Sequence, residues 1–181
     1  YDDVGRLSQL TDGADSLIVR YQYDDVGRLA REDKGNGTYT LYTYNNTDQL
    51  LSIVNHAPED SINSSISYTY DSLGRQSSQT TLEGSWTYDY DATGQLIGAE
   101  FVSITPEIAN QSLTYDYDSV GNRIRTVENG VTTTYTSNDL NQYTEVNGFD
   151  YQYDTDGNLI SKTDESGTSL YGYNSENNLV S

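Results

Sequence analysis

Tyr21-Gln22-Tyr23-Asp24-Asp25-Val26-Gly27-Arg28-Leu29 decides the reading of this chain, because the pattern returns from one end to the other. Full copies run Tyr68-x-Tyr70-Asp71-x-x-Gly74, Tyr88-x-Tyr90-Asp91-x-x-Gly94, Tyr115-x-Tyr117-Asp118-x-x-Gly121 and Tyr151-x-Tyr153-Asp154-x-x-Gly157. Tyr42-x-Tyr44-Asn45 and Tyr171-x-Tyr173-Asn174 carry Asn for Asp, Ser137 replaces the second Tyr of the copy that Tyr135 opens, and Tyr1-Asp2 starts inside a copy. The second Tyr or its substitute recurs at intervals of 16 to 27 residues. A unit of that size is one supersecondary piece that buries its apolar side only against its neighbours.

The columns of the repeat carry its physics. Behind the second Tyr stand only Asp or Asn, side chains that bond a backbone N–H two residues on and start a turn. Three positions later stand only Gly, Asn or Asp (Gly5, Gly27, Asp48, Gly74, Gly94, Gly121, Asn141, Gly157, Asn177), the residues that best tolerate positive φ. Together they predict a type I turn closing through a bulge, a common hairpin loop. The Tyr pair at i and i+2 projects from one face of a strand. Return strands are expected from Leu29, Leu50, Leu96 and Leu159, and second turns at Asp12-Gly13, Gly35-Asn36-Gly37, Glu83-Gly84, Asn129-Gly130, Asn147-Gly148 and Ser166-Gly167. Each unit is then two strands and two turns, and about eight units give about sixteen strands. A sheet that wide curls rather than lying flat. A helical reading fails: no window has i, i+3, i+4, i+7 apolar spacing, and Gly or Asn interrupts every dozen residues.

Composition agrees. Hydrophobic residues make up only 34% of the 181, Met and Cys are absent, and all 18 tyrosines except Tyr39 and Tyr143 lie in the motif. Tyrosine is thus the chief packing residue, an apolar ring whose hydroxyl still needs a partner. Low hydrophobicity also marks disordered chains, but 12% aromatic content with fixed turn chemistry does not. The net charge of −19 repels phosphate backbones and anionic membranes, so nucleic-acid binding is not expected. It suits an extracellular or high-salt setting, where screening relieves self-repulsion. No apolar run approaches membrane-spanning length.

Chemistry is sparse. The aspartates recur at one turn position, which turn structure explains without catalysis, and the lone His56, on a variable insert, is expected to be solvent-exposed and makes no triad. Asp154, Asp156 and Asn158 put oxygens close together, as calcium prefers, but without the Gly and Glu placement of an EF-hand loop. The Asx turn is the reading adopted there. No cofactor is expected. Two inserts, Asn55–Ser65 and Ser103–Ser112, each hold one of the two prolines and are expected to project as longer loops, the natural place for a partner or glycan to bind. Asn36, Asn45, Asn63 and Asn110 open glycosylation sequons by pattern, in a sequence rich enough in Asn, Ser and Thr for chance matches. Trp86 is expected to pack in the sheet.

The recurring Tyr-x-Tyr-Asp-x-x-Gly-Arg-Leu block resembles the YD repeats of Rhs proteins, of shell-forming components of insecticidal toxin complexes and of teneurins, across essentially the whole chain. The resemblance implies consecutive antiparallel hairpins winding as one spiral sheet into a hollow barrel or tube. It also implies partners: neighbouring repeats of the same long chain, with an enclosed cargo or a surface glycan left open. Rhs shells end in an Asp-Pro-x-Gly style motif associated with autoproteolysis; here Pro58 follows Ala57 and Pro106 follows Thr105, so that end lies outside this window. The expectation is therefore an all-β repeat array over residues 1–181, part of a longer protein. It would act as a non-enzymatic wall segment of a secreted or cell-surface shell or filament. The alternative is an adhesion module that binds carbohydrate or protein through the inserts.

Overall fold

The computed structural model describes residues 1–180, and these form an all-β structure with no helix among them. In chain order the strands are β1 (Gln9–Thr11), β2 (Leu17–Tyr23), β3 (Leu29–Lys34), β4 (Tyr39–Tyr44), β5 (Leu50–His56), β6 (Ile62–Tyr70), β7 (Gln76–Thr81), β8 (Gly84–Tyr90), β9 (Leu96–Ser103), β10 (Gln111–Tyr117), β11 (Arg123–Glu128), β12 (Val131–Ser137), β13 (Tyr143–Val146), β14 (Phe149–Tyr153), β15 (Leu159–Asp164) and β16 (Gly167–Leu170). Their order in the sheet is their order in sequence. Every link in such a meander is short, so each strand meets its partner at small loop-closure cost.

The strands fall into two compact units, Tyr1–Tyr88 with Phe101–Asn110, and Asp89–Glu100 with the chain from Gln111 on. In the first, β1 to β8 pair antiparallel in succession; in the second, β10 to β16 do so. The register slips by one residue at the second position of the motif, between Gln22 and Tyr23, Thr43 and Tyr44, Thr69 and Tyr70, Asp116 and Tyr117, Thr136 and Ser137, and Gln152 and Tyr153. Each motif turn thus closes through a β-bulge, which adds local twist.

Packing is thin. In β6, β8, β10 and β14 the tyrosines are half-buried while the residue between them is exposed. Among the described residues only Val19, Thr40, Ala57, Gly84, Ala99 and Phe101 are buried, and no large side chain is fully enclosed. Stability therefore rests on ladder hydrogen bonds and many half-buried contacts rather than on a dry core. Trp86 does pack within the sheet, 5.3 Å between ring centroids from Phe101 and 6.3 Å from Tyr88.

Two expectations about the inserts are corrected. Asn55–Ser65 is not a projecting loop: Asn55 and His56 end β5, Ile62–Ser65 begin β6, and Ser64 and Ser65 pair with Asn55 and Val54. The insertion lengthens a hairpin, because its polar Asn and Ser residues still supply ladder groups and pair through their side chains, Asn55 Nδ2 donating to Ser64 Oγ at 2.8 Å. His56 accordingly sits on a strand and is half-buried rather than exposed, stacked on Tyr39 with centroids 4.5 Å apart. The other insert does leave the sheet, over residues 104–110.

Candidate functional site

The motif positions converge on one kind of structure, the turns that join each even-numbered strand to the next, with one more such turn before β1 and one after β16. At Asp24–Arg28 the Gly27 N–H donates to Asp24 O at 3.0 Å, and Asp24 N–H to Arg28 O at 2.8 Å. The Asp24 carboxylate fills the loop: Oδ1 accepts from the N–H groups of Val26 (3.1 Å) and Arg28 (2.8 Å), and Oδ2 accepts from Arg28 Nε at 2.7 Å. Asp2, Asp71, Asp118 and Asp154 repeat this geometry, and Asn45, Asn138 and Asn174 reproduce its backbone part. Gly5, Gly27, Gly74, Gly94, Gly121 and Gly157 have φ between 81° and 96°, and Asp48, Asn141 and Asn177 between 58° and 64°.

These carboxylates are held ionised. At Asp24 and Asp71 desolvation is the largest single influence and opposes charge, yet the turn N–H groups and the Arg guanidinium together outweigh it and leave the carboxyl below its ordinary range. At Asp118 and Asp154 the side-chain amides of Asn122 and Asn158 lead, joined by backbone N–H groups, with the same result.

Asp154, Asp156 and Asn158, weighed for calcium, fall in one such turn. Asp154 Oδ1 accepts the N–H groups of Asp156 and Asn158, and Oδ2 accepts Asn158 Nδ2. Asn158 Nδ2 also donates to Asn177 Oδ1 at 3.0 Å. The carboxylate is already occupied by its own loop. No cluster of three or more His, Cys, Asp or Glu side chains suited to a metal occurs among the described residues.

Two further columns tie one repeat to the next, and the motif reading had missed both. First, the hydroxyl of the second Tyr donates to a carbonyl in the preceding unit: Tyr23 to Leu7 (2.8 Å), Tyr44 to Leu29 (2.9 Å), Tyr70 to Leu50 (2.7 Å), Tyr117 to Leu96 (2.8 Å) and Tyr153 to Tyr143 (3.0 Å). Burial pushes the Tyr117 and Tyr153 phenols up, which keeps them protonated as donors. Second, the residue after the positive-φ position is always Arg, Gln or Asn. Its side chain binds its own turn and reaches forward to the following one: Arg28 Nη1 to Asn45 O and Asp48 Oδ1, Gln49 Nε2 to Gly74 O, Asn122 Nδ2 to Asn141 Oδ1, Gln142 Nε2 to Gly157 O. Arg6 and Arg28 also lie over the Tyr23 and Tyr44 rings at 4.3 and 4.7 Å. The exclusively Arg, Gln or Asn column was legible as a pattern; what it binds was not.

Ser137 interrupts the first column. Its Oγ is buried without a partner, and the preceding unit carries Arg123 where six of the other repeats carry Leu, the guanidinium 5.4 Å from the Tyr115 ring and 5.9 Å from that of Tyr135. One side-chain cluster lies off the turn row, at the tip of the β3–β4 and β5–β6 hairpins. There Tyr39 lies between Arg31 (3.9 Å) and His56, and donates to Asp60 Oδ1 at 2.8 Å. Arg31 is committed to Asp33. Nothing in this cluster forms a nucleophile–base pair.

Comparison with known proteins agrees with the geometry. The teneurin YD-shell family model matches residues 60–181 and the RHS repeat model residues 1–38. No curated protein matches the chain. Among solved structures, a TccC3 mutant of the Photorhabdus luminescens Tc holotoxin pore is 20% identical with a TM-score of 0.62, covering 99% of this chain and 13% of that one. TcdB2–TccC3 is 21% identical with a TM-score of 0.66, over 99% of this chain and 12% of that one. TcdB2–TccC3–Cdc42 is 21% identical at 0.64, over 94% and 11%. The chain thus spans about an eighth or less of these neighbours, and at such identity the likeness concerns the fold.

Proposed function

Because the chain belongs to the teneurin YD-shell family, we propose that it is a wall segment: residues 1–181 form one array of about eight hairpins, a window of a longer repeat protein, and their product is an enclosing surface rather than a reaction. The observation that carries this reading is the linkage of unit to unit. Tyrosine hydroxyls and Arg, Gln or Asn side chains spend their polar groups on the next hairpin, so they specify lateral continuation. The thin packing points the same way, since a single sheet without a dry core gains from curling or covering one of its faces.

The wall belongs to a secreted or cell-surface assembly, where salt screens the −19 charge. A hollow shell with an enclosed cargo and an open tube are its two forms. Electron microscopy of the intact parent protein tests the reading. A closed capsule or a tube with a visible lumen is expected; a compact body without a lumen would overturn it.

Asp154, Asp156 and Asn158 act as a turn in this account. Millimolar calcium is expected to leave the thermal midpoint unchanged, and a midpoint that rises with calcium and falls with chelator would reassign them as ligands. The adhesion reading retains only the loop over residues 104–110, since the other insert is paired strand.

A further inference from the structure

Successive motif turns border a groove, and the residue after the positive-φ position decides what fills it. Where that residue is Arg, its own guanidinium does. Arg28 Nε donates to Asp24 Oδ2 at 2.7 Å, Nη1 reaches Asn45 O and Asp48 Oδ1 on the next turn, and the guanidinium lies 4.7 Å from the centre of the Tyr44 ring. Arg6 repeats the arrangement with Asp2 at 2.7 Å and the Tyr23 ring at 4.3 Å. At the Asp91 turn the residue is Gln95, shorter and uncharged. This turn and the one at Asp118 border an open groove of about 570 Å³, lined by Asp91, Thr93, Gln95, Ile97, Tyr117 and Asp118 among others. All of these residues lie in the second unit. In the repeat, Asp91 and Tyr117 hold the places that Asp24 and Tyr44 hold around Arg28. Arg123 also bears on the Tyr117 phenol, but its guanidinium lies by the Tyr115 and Tyr135 rings and is not part of the groove lining.

We propose that this groove binds an arginine side chain of a partner polypeptide, its guanidinium stacked on Tyr117 and facing the Asp91 carboxylate, as Arg28 is seated in its own groove. Such a groove works the same way in a shell, a tube or a free-standing module. Charge and shape select the occupant. The chain carries a net charge of −19, which draws a basic segment to it. A planar guanidinium stacks on a tyrosine ring and bonds a carboxylate at once, whereas a lysine ammonium is a compact, strongly hydrated point charge. Asp91 and Asp118 are held below the ordinary carboxylate range, by the Thr93 hydroxyl and the Asn122 amide first, and so stay charged at neutral pH. The second unit holds another Gln-type groove two repeats on, where Gln142 borders Tyr153 and Asp154. Two repeats are four strands, about 19 Å at the ~4.8 Å strand spacing, which an extended chain covers in about six residues. The partner is therefore an extended basic segment with arginines about six residues apart.

The test titrates the isotopically labelled chain with a Gly/Ser peptide carrying two arginines about six residues apart. One control peptide carries citrulline, which keeps the planar shape without the charge, and another carries lysine. Amide NMR shifts at Thr93, Gln95 and Gly121 read the groove. The arginine peptide is expected to move these signals more than those of the Asp24–Arg28 turn, to bind about fivefold or more tighter than either control, and to weaken as salt is raised. Gln95→Arg supplies the chain's own guanidinium, a residue this turn position already carries in Arg6 and Arg28. It is expected to lower the affinity about fivefold and to remove the shifts at its groove while β-sheet circular dichroism is kept. Equal binding of the citrulline peptide, shifts spread evenly over the acidic surface, or wild-type affinity in Gln95→Arg would overturn the proposal. Gln142→Arg repeats the measurement at the second groove, should Gln95→Arg lose its sheet signal.

Discussion

Tyr70 shows how one atom links two repeats. Its hydroxyl caps the Leu50 carbonyl at 2.7 Å, and removing it leaves a partly buried acceptor without that donor. Tyr70→Phe is expected to lower stability by about 0.5–1.5 kcal/mol, read as a lower urea midpoint at unchanged slope. Tyr68→Phe, on the first Tyr of the same pair, is expected to stay within about 0.5 kcal/mol of wild type. Equal losses from the two would show that ring packing, not the hydroxyl bond, distinguishes the positions. Gly74 makes the complementary case for the backbone. It sits at φ +81°, and an added Cβ would come 3.2 Å from Gln49 Nε2, the very group that donates to Gly74 O. Gly74→Ala should therefore cost about 1–2 kcal/mol, whereas Gly74→Asn, the residue found at the same place in Asn141 and Asn177, should cost distinctly less. An Asn variant no better than the Ala variant would mean that crowding rather than φ governs the site.

At the level of the hairpin, the unit containing Ser137 is the one that departs from the pattern. It lacks the tyrosine hydroxyl bond to its predecessor, leaves Ser137 Oγ unpartnered, and sets the exposed Arg123 against the Tyr115 and Tyr135 rings. Restoring the pattern with the double variant Arg123→Leu/Ser137→Tyr should stabilise by about 1 kcal/mol and slow amide exchange in β11 and β12. Ser137→Tyr alone should gain less, because the Arg123 guanidinium still lies against the Tyr115 and Tyr135 rings where the new ring would have to pack. A double variant less stable than wild type would show that the Arg123 arrangement is itself the better packing. The same scale explains which parts of the elements could be read in advance. The motif turns were legible because positive φ admits few residue types, and strand order was legible because the links are short. The hairpin extension at Asn55–Ser65 was not, because Asn and Ser are common in loops and only the facing strand shows them paired. Nor were the targets of Tyr70, Arg28 and Gln142 legible, since each acceptor lies 15 to 20 residues away along the chain.

Over the whole molecule, charge sets the response to pH. The carboxyls of Asp24, Asp71, Asp118 and Asp154 lie below the ordinary value of 3.8 in the fold. A depressed folded-state pKa contributes stability that is present above the unfolded-state value and is lost as pH falls through the folded one. Between neutrality and about pH 4.5, partial loss of the −19 charge relieves repulsion, so the thermal midpoint should hold or rise slightly; below about pH 3.8 it should fall. Asp118→Asn, which copies the natural Asn45 and Asn138 turns, should reduce that fall. A midpoint that declined steadily from pH 7 would place the sensitive groups elsewhere.

The sequence by itself determined a meander of hairpins, the positions of its bulged turns, the acidic surface and the membership of a repeat family, because these depend on local φ preference, short connections and composition. Only the tertiary structure decided that the tyrosine hydroxyls and the Arg, Gln or Asn side chains spend themselves on the neighbouring unit, and that His56 stacks on Tyr39 within a lengthened hairpin. Those outcomes depend on which groups meet across strands, and no spacing along a single chain records that until the register is set.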